Sequence, residues 1–371
     1  MNKKNVALIL ALVFIVAAIT YLEKGKIENG FDNGNQPLEK ESSEPPEIAT
    51  KNGYSLAPEL TGITGYLNTE EEEELRLADL RGKVVLVDFW TYTCINCIRT
   101  LPHLVEWDQK YKDQGLVIIG VHTPEFDFEK KRENVAMAIE KYGIKYAVVQ
   151  DNDYATWRAY NNRYWPRKYL IDAEGYIRYD HIGEGGYEET ELKIQELLAE
   201  IGKNVSGILT IEDTTPHQQT TPELYAGYQF ALPRGQNIGN EERLQPDTII
   251  QYLFPEMPRE DTIYLNGGWK SNSDSLEAVQ DNSSLLLVYT AGSLNVVADS
   301  LLSLPIEVEV LLDGQYVPTG LAGNDLQFKE EKTFMVIDEP RLYNPIDGEY
   351  GQHTLELKTR KGMAINALTF G

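Results

Sequence analysis

The sequence predicts an α/β domain followed by an all-β domain, and three observations carry that expectation. Between residues 57 and 203, short β-branched apolar runs alternate with stretches of helical periodicity. From 204 to 371 helical periodicity gives way to short alternating runs separated by turn residues, the pattern of a jelly roll or sandwich. Residues 1–22 stand apart from both, because Lys3 and Lys4 precede an uncharged, mostly apolar run from Val6 to Leu22.

That apolar run is at the short edge of a membrane-spanning helix and long for a signal-peptide core. It reads as one uncleaved signal anchor with the lysines in the cytoplasm and the remainder extracytoplasmic at the cell membrane. Val16-Ala17-Ala18 leaves cleavage as the alternative. Residues 23–56 hold Gly25, Gly30, Gly34, Pro37, Pro45 and Pro46 among many Glu, Asn and Ser, and read as a disordered acidic tether. Asp plus Glu outnumber Lys plus Arg by 58 to 34, a formal net charge of -24. Such a surface repels phosphate, which excludes nucleic acid as a partner. The acidic run Glu70 to Glu74 reads as a solvated face, since consecutive acids do not converge on calcium.

In chain order, Val84 to Phe89 is a buried strand bounded by Arg81-Gly82-Lys83. Ile98, Leu101, Leu104, Val105 and Tyr111 give helical spacing from Cys94 to about Lys112, with a kink expected at Pro102. Leu116 to Val121 is a second strand, Phe128 to Tyr142 a helix closed by Gly143, and Tyr146 to Val149 a third strand. Asp153 is the expected cap of a short helix through Tyr160. Tyr169 to Asp172 and Tyr176 to His181 flank a hairpin turn, and Thr190 to Ile201 is the last helix. In the second half the strands expected are Ser284–Thr290, Ile306–Val310, Thr333–Ile337, Thr354–Leu357 and Ala364–Phe370.

The chain has two cysteines, Cys94 and Cys97, where a buried strand runs into a helix. A bridge between them closes too small a loop to staple a fold, so a structural role is disfavoured. Only a thiolate attacks a disulfide, and free N–H groups at a helix start favour an anion at Cys94. Cys97 lies one turn on, placed to attack the mixed disulfide and release product. Asp88, six residues before Cys94, is an isolated carboxylate in an apolar strand; burial there raises its pKa and suits it to take the Cys97 proton. If Asp88 faces solvent or a cap instead, it has no such role.

Zinc normally needs four ligands, and His103 and His122 lie at the wrong spacing to complete a set, so no metal is expected. Trp165-Pro166 precedes a strand; Pro166 is a candidate cis proline, with an ordinary trans turn as the alternative, and Trp165 would offer backbone hydrogen bonds to an extended substrate.

The segment Val84 to Trp90 followed by Cys94-Ile95-Asn96-Cys97 resembles the thioredoxin superfamily. Phe89 through Pro102 is similar to the DipZ-like branch of the TlpA-like redoxins, as are Ala57 to Gly65, Gly120 to Phe126 and Tyr164 to Asp172. The resemblance implies a thioredoxin fold, a central mixed sheet flanked by helices, over 57–203. It implies nucleophile Cys94, resolving Cys97, proton acceptor Asp88 and substrate-contacting cis-Pro166, with the cysteine pair in place of a cofactor. The second half is similar to the β-jelly-roll domain appended in that branch, which is shaped like carbohydrate-binding modules; Pro222 to Tyr228 and Leu368 to Gly371 carry that likeness.

These readings imply a reductase of disulfides in exported proteins, supplied by a separate membrane electron donor, since only one apolar segment is present. An oxidase would use the same cysteines at a higher potential. A thiol peroxidase would use Thr91-x-x-Cys94. A glycan-binding protein would stack sugars on Trp269, Tyr264 and Tyr228, although such aromatics are more often core.

Overall fold

A computed structural model describes residues 50–69, 74–205, 218–302 and 304–371. The expected anchor, most of the tether and Glu70 to Glu73 lie outside the described residues. Among the described residues no helix is long and apolar enough to cross a membrane. The end of the expected tether is folded: β1 (Thr50–Lys51) and β2 (Tyr54–Ser55) pair as a small hairpin, and Ala57 N–H donates to the Gly175 carbonyl. The Arg178 guanidinium lies 4.8 Å from the centre of the Tyr54 ring, a local anchor that low average hydrophobicity conceals.

The α/β half holds β3 (Gly65–Leu67), β4 (Val84–Trp90), α1 (Ile95–Tyr111), β5 (Leu116–His122), α2 (Arg132–Lys141), β6 (Ala147–Gln150), α3 (Ala155–Ala159), β7 (Arg167–Ile171), β8 (Ile177–Ile182) and α4 (Tyr187–Glu200). Its six strands run in the order β3-β6-β5-β4-β7-β8, with β4, β5 and β6 mutually parallel and the others antiparallel. This is the expected mixed sheet of a thioredoxin fold. All seven residues of β4 are buried because the sheet is covered on both faces. Alternation along β4 puts Leu86, Asp88 and Trp90 on one face and Val85, Val87 and Phe89 on the other. The first face packs in one apolar cluster with Cys97, Leu101 and Leu104 of α1 and Ile194 of α4. On the second, Phe89 meets Tyr160 and Tyr169 edge-on.

The short helix α3 is not capped by Asp153. Asp151 accepts from the N–H groups of Thr156 at 3.1 Å and Trp157 at 2.8 Å. Two of the orphan donors at a helix start are thereby satisfied by a buried carboxylate at the end of β6.

The second half is β-rich: β9 (Leu224–Tyr225), α5 (Tyr228–Ala231), β10 (Ile249–Tyr252), β11 (Thr262–Ser271), β12 (Leu276–Ala278), β13 (Ser283–Ser300), β14 (Ile306–Leu312), β15 (Gln315–Tyr316), β16 (Gln327–Lys329), β17 (Lys332–Ile337), β18 (Arg341–Thr359) and β19 (Met363–Phe370). Every ladder among these strands is antiparallel, and the 18- and 19-residue strands β13 and β18 form its spine. Trp269 and Tyr264 are buried in this core, at 1% and 2% exposure, so the sugar-stacking face drawn through them with Tyr228 is not present. The described residues form one unit, and a single apolar cluster joins the two halves.

Candidate functional site

The end of β4 delivers Thr91-Tyr92-Thr93 and then Cys94, the residue that caps α1. Three contacts fix this loop. Thr93 Oγ1 donates to Glu129 Oε1 at 2.5 Å, and the Tyr92 hydroxyl donates to the Pro340 carbonyl of the β-domain at 3.2 Å. Tyr92 also stacks on the buried His122 ring. The Thr91 hydroxyl lies 3.4 Å from His122 Nε2, buried away from solvent. Burial holds His122 neutral by pushing its pKa down to about 3.

Both cysteines are free thiols. Cys94 is half-buried, Cys97 fully buried, and the Cys97 N–H donates to Cys94 Sγ at 3.2 Å. The helix start therefore does what the sequence leads one to expect, but it does not win. Burial pushes the Cys94 thiol up, and the carboxylates of Glu223 and Glu125 push the same way, against the hydrogen bond from Cys97. The expected net stabilisation of the thiolate is thus reversed, by burial first and then by acids, one of them far away in sequence. Cys97 is raised further, by burial first and then by Cys94 and by Asp88.

Asp88 is buried on the face of β4 that carries α1. Burial raises its carboxyl to about 7, against the pull of Lys168. Lys168 is equally buried and stands opposite Asp88 in the β4–β7 register; its Nζ donates to the Gly183 carbonyl at 3.3 Å. Gly120 stands beside Asp88 in the β4–β5 register. A Cβ there would meet Trp90 Nε1 at 2.9 Å, so glycine leaves room for the Trp90 ring.

The Trp165–Pro166 peptide is cis. The Trp165 indole packs on Trp157 at 4.2 Å between ring centres and donates to the Thr123 carbonyl at 3.1 Å. Among the described residues no hydrogen bond takes the Trp165 main-chain N–H or carbonyl.

The β-domain reaches the cysteines. A cavity of about 230 Å³ is lined by Ile95, Asn96 and Arg99 of α1, by Glu184, and by Pro222 and Glu223. A larger cleft of about 720 Å³ runs from Ile95 and Arg99 across Ser293, Asn344 and Tyr350. Glu125, Glu129, Glu223 and Tyr225 were given no role from the sequence, although Glu125, Glu223 and Tyr225 lie in segments that carry the resemblance. Glu125 and Glu129 are a pair of acids four residues apart just after a strand end; nothing local ties them to residues about a hundred positions on. Among the described residues no group of three His, Cys, Asp or Glu gathers to hold a metal. His103 stacks on Tyr187 at 3.6 Å between ring centres.

Residues 57–180 match the model of the AhpC/TSA family, and residues 221–371 match the thioredoxin like C-terminal domain. Protein DipZ of Mycobacterium bovis is 36% identical over 319 residues, which is 85% of this chain and 43% of DipZ, so the chain spans less than half the length of that relative. The thiol-disulfide oxidoreductase YkuV of Bacillus subtilis is 30% identical over 143 residues, 38% of this chain and 94% of YkuV. The thiol-disulfide oxidoreductase ResA of Bacillus thuringiensis is 31% identical over 121 residues, 33% of this chain and 67% of ResA. With a strand–CxxC–helix layout and relatives of this kind, the chain belongs to the thioredoxin-like thiol–disulfide oxidoreductases.

Proposed function

We propose that this oxidoreductase is membrane-anchored and extracytoplasmic, and that it reduces disulfides of exported proteins through Cys94 and Cys97. The observation that carries the reading is the placement of the pair, with a half-buried Cys94 capping α1 and a buried Cys97 one turn on, on the helix that covers Asp88. Cys94 thiolate attacks a substrate disulfide; that S–S bond breaks, a mixed disulfide forms, and the departing sulfur takes up a proton. Cys97 gives its proton to Asp88 and attacks Cys94 Sγ, closing the Cys94–Cys97 disulfide and releasing the second substrate sulfur. Two electrons pass to the substrate, and a separate membrane dithiol donor returns them.

The reductive direction is supported by the burial of Cys94 and by Glu223 and Glu125, which all oppose its thiolate. A strong oxidant owes its potential to a stabilised reduced form, and this site lacks that stabilisation. Trp165 and Pro166 are read as the substrate-contacting edge, with the Trp165 main-chain groups accepting an extended strand. Residues 1–22 are read as the anchor from their composition, and the chain is divided into 57–203 and a jelly roll over 204–371.

The test is trapping. A Cys97→Ser protein mixed with disulfide-bonded exported proteins accumulates a mixed disulfide at Cys94, identified by mass spectrometry, while Cys94→Ser does not. Trapping at Cys97 in the Cys94→Ser protein, with none at Cys94, would overturn the assignment.

A further inference from the structure

The Tyr225 hydroxyl of β9 lies 2.6 Å from Glu125 Oε1 and 2.8 Å from Glu223 Oε2. A phenol has one proton to give. It donates to one carboxylate, so the other carboxyl must carry its own proton and donate to the phenol oxygen; two ionised carboxylates would leave an unbridged oxygen–oxygen contact. Glu125 and Tyr225 are buried and Glu223 is half-buried, so water screens that contact only weakly.

The bridge is tied to the cysteine loop. Glu129 Oε2 accepts from the Glu125 N–H at 2.5 Å and the Phe126 N–H at 2.9 Å, while its other oxygen accepts from Thr93, the residue before Cys94. Glu223 borders the cavity over Ile95 and Asn96. On the far side Tyr225 stacks on Phe230, and the Arg234 guanidinium covers its ring at 4.5 Å.

We propose that Glu125, Tyr225 and Glu223 share one carboxyl proton across the two halves of the protein, and that the single negative charge left on this bridge opposes the ionisation of Cys94. The β-domain is then a working part of the redox centre, with Glu223 and Tyr225 as positioning residues acting through Cys94. The inference rests on Cys94 as the attacking thiol.

The groups facing the bridge are Glu129, Tyr154 at the start of α3, Arg234 and Cys94. Glu129 is a further acid and opposes a second charge, whereas Arg234 favours the one that remains. Glu125 and Glu223 are both pushed up, by burial first. Two acids so coupled titrate as a pair rather than singly.

Two measurements on the full chain test this. The first is infrared spectroscopy at neutral pH in an Asp88→Asn background, which removes the Asp88 carboxyl. A protonated-carboxyl carbonyl band is expected and is lost on adding Glu223→Gln. Absence of the band, or its persistence in Glu223→Gln, overturns the shared proton.

The second is alkylation of Cys94 against pH in Cys97→Ser protein. Adding Glu125→Gln and Glu223→Gln together removes the charge, and Cys94 then reacts about tenfold faster at neutral pH with a lower midpoint. In protein that retains both cysteines, the same two substitutions make the reduction potential less negative by about 30 mV for each tenfold change in the equilibrium. Glu223→Gln alone keeps Glu125 ionised and leaves the alkylation midpoint close to that of the parent. An unchanged midpoint in the double variant overturns the control of Cys94. If the trapping experiment instead fails at Cys94, the assignment of the cysteines falls while the infrared result still decides the bridge.

Discussion

Asp88 and Lys168 stand opposite each other across the antiparallel pair β4–β7, and both side chains are buried beneath the helix that carries the cysteines. Desolvation and the facing ammonium act on Asp88 in opposite senses, and desolvation wins, which leaves the carboxyl titrating at about 7. A group poised there can both accept and return a proton near neutral pH.

Asp88→Asn separates this role from stability. In the unfolded chain the carboxyl ionises near 3.8, whereas the folded protein holds the proton to about 7. The native state binds more protons in that window, so this group makes stability fall as pH rises through it. Urea titrations at a series of pH values should show the balance moving in favour of Asp88→Asn by up to about 4 kcal/mol between the two limits. Resolution of a preformed mixed disulfide should slow by about a hundredfold or more.

Lys168→Met removes the group that pulls Asp88 down. The pH dependence of mixed-disulfide resolution should then move to higher pH, as stopped-flow measurement of the released substrate thiol would show. A profile that stays in place would mean that Asp88 and Lys168 are not coupled.

His122 gives the opposite sign. Its folded value is about 3 against an ordinary 6.5, so the unfolded chain binds the extra proton and stability is lost as pH falls through that window. His122→Gln should flatten the acid limb of the stability profile relative to wild type.

Gly120→Ala places a methyl 2.9 Å from Trp90 Nε1 in a packed parallel pair. Overpacking of this kind costs about 1–3 kcal/mol. Denaturant unfolding should show the loss, and Trp90 fluorescence should report the displaced ring.

The strand–CxxC–helix unit was legible because its signals are local: an apolar run, a helical spacing and two cysteines within one turn. The long spine strands were not. Only Ser284–Thr290 of β13 and Thr354–Leu357 of β18 were expected as strand, but register shifts between Ala291 and Ser293 and between Leu294 and Val296 carry the ladder on past Gly292, Pro345 and Gly348. Asp153 was the expected cap, whereas the buried Asp151 accepts from the free N–H groups at the helix start. The sign of the effect on Cys94 was out of reach, since it comes first from burial and then from Glu223 and Glu125, and Glu223 approaches only when the β-domain packs against the α/β half.

The most direct test of the account is the reduction potential of the Cys94–Cys97 couple, from equilibration of the protein with dithiothreitol or glutathione buffers. A site whose acids oppose the Cys94 thiolate should have a potential near or below about −270 mV, in the range of thioredoxin. A potential near about −120 mV, that of a strong oxidant, would contradict the reductase reading and make the same cysteines a disulfide-forming pair.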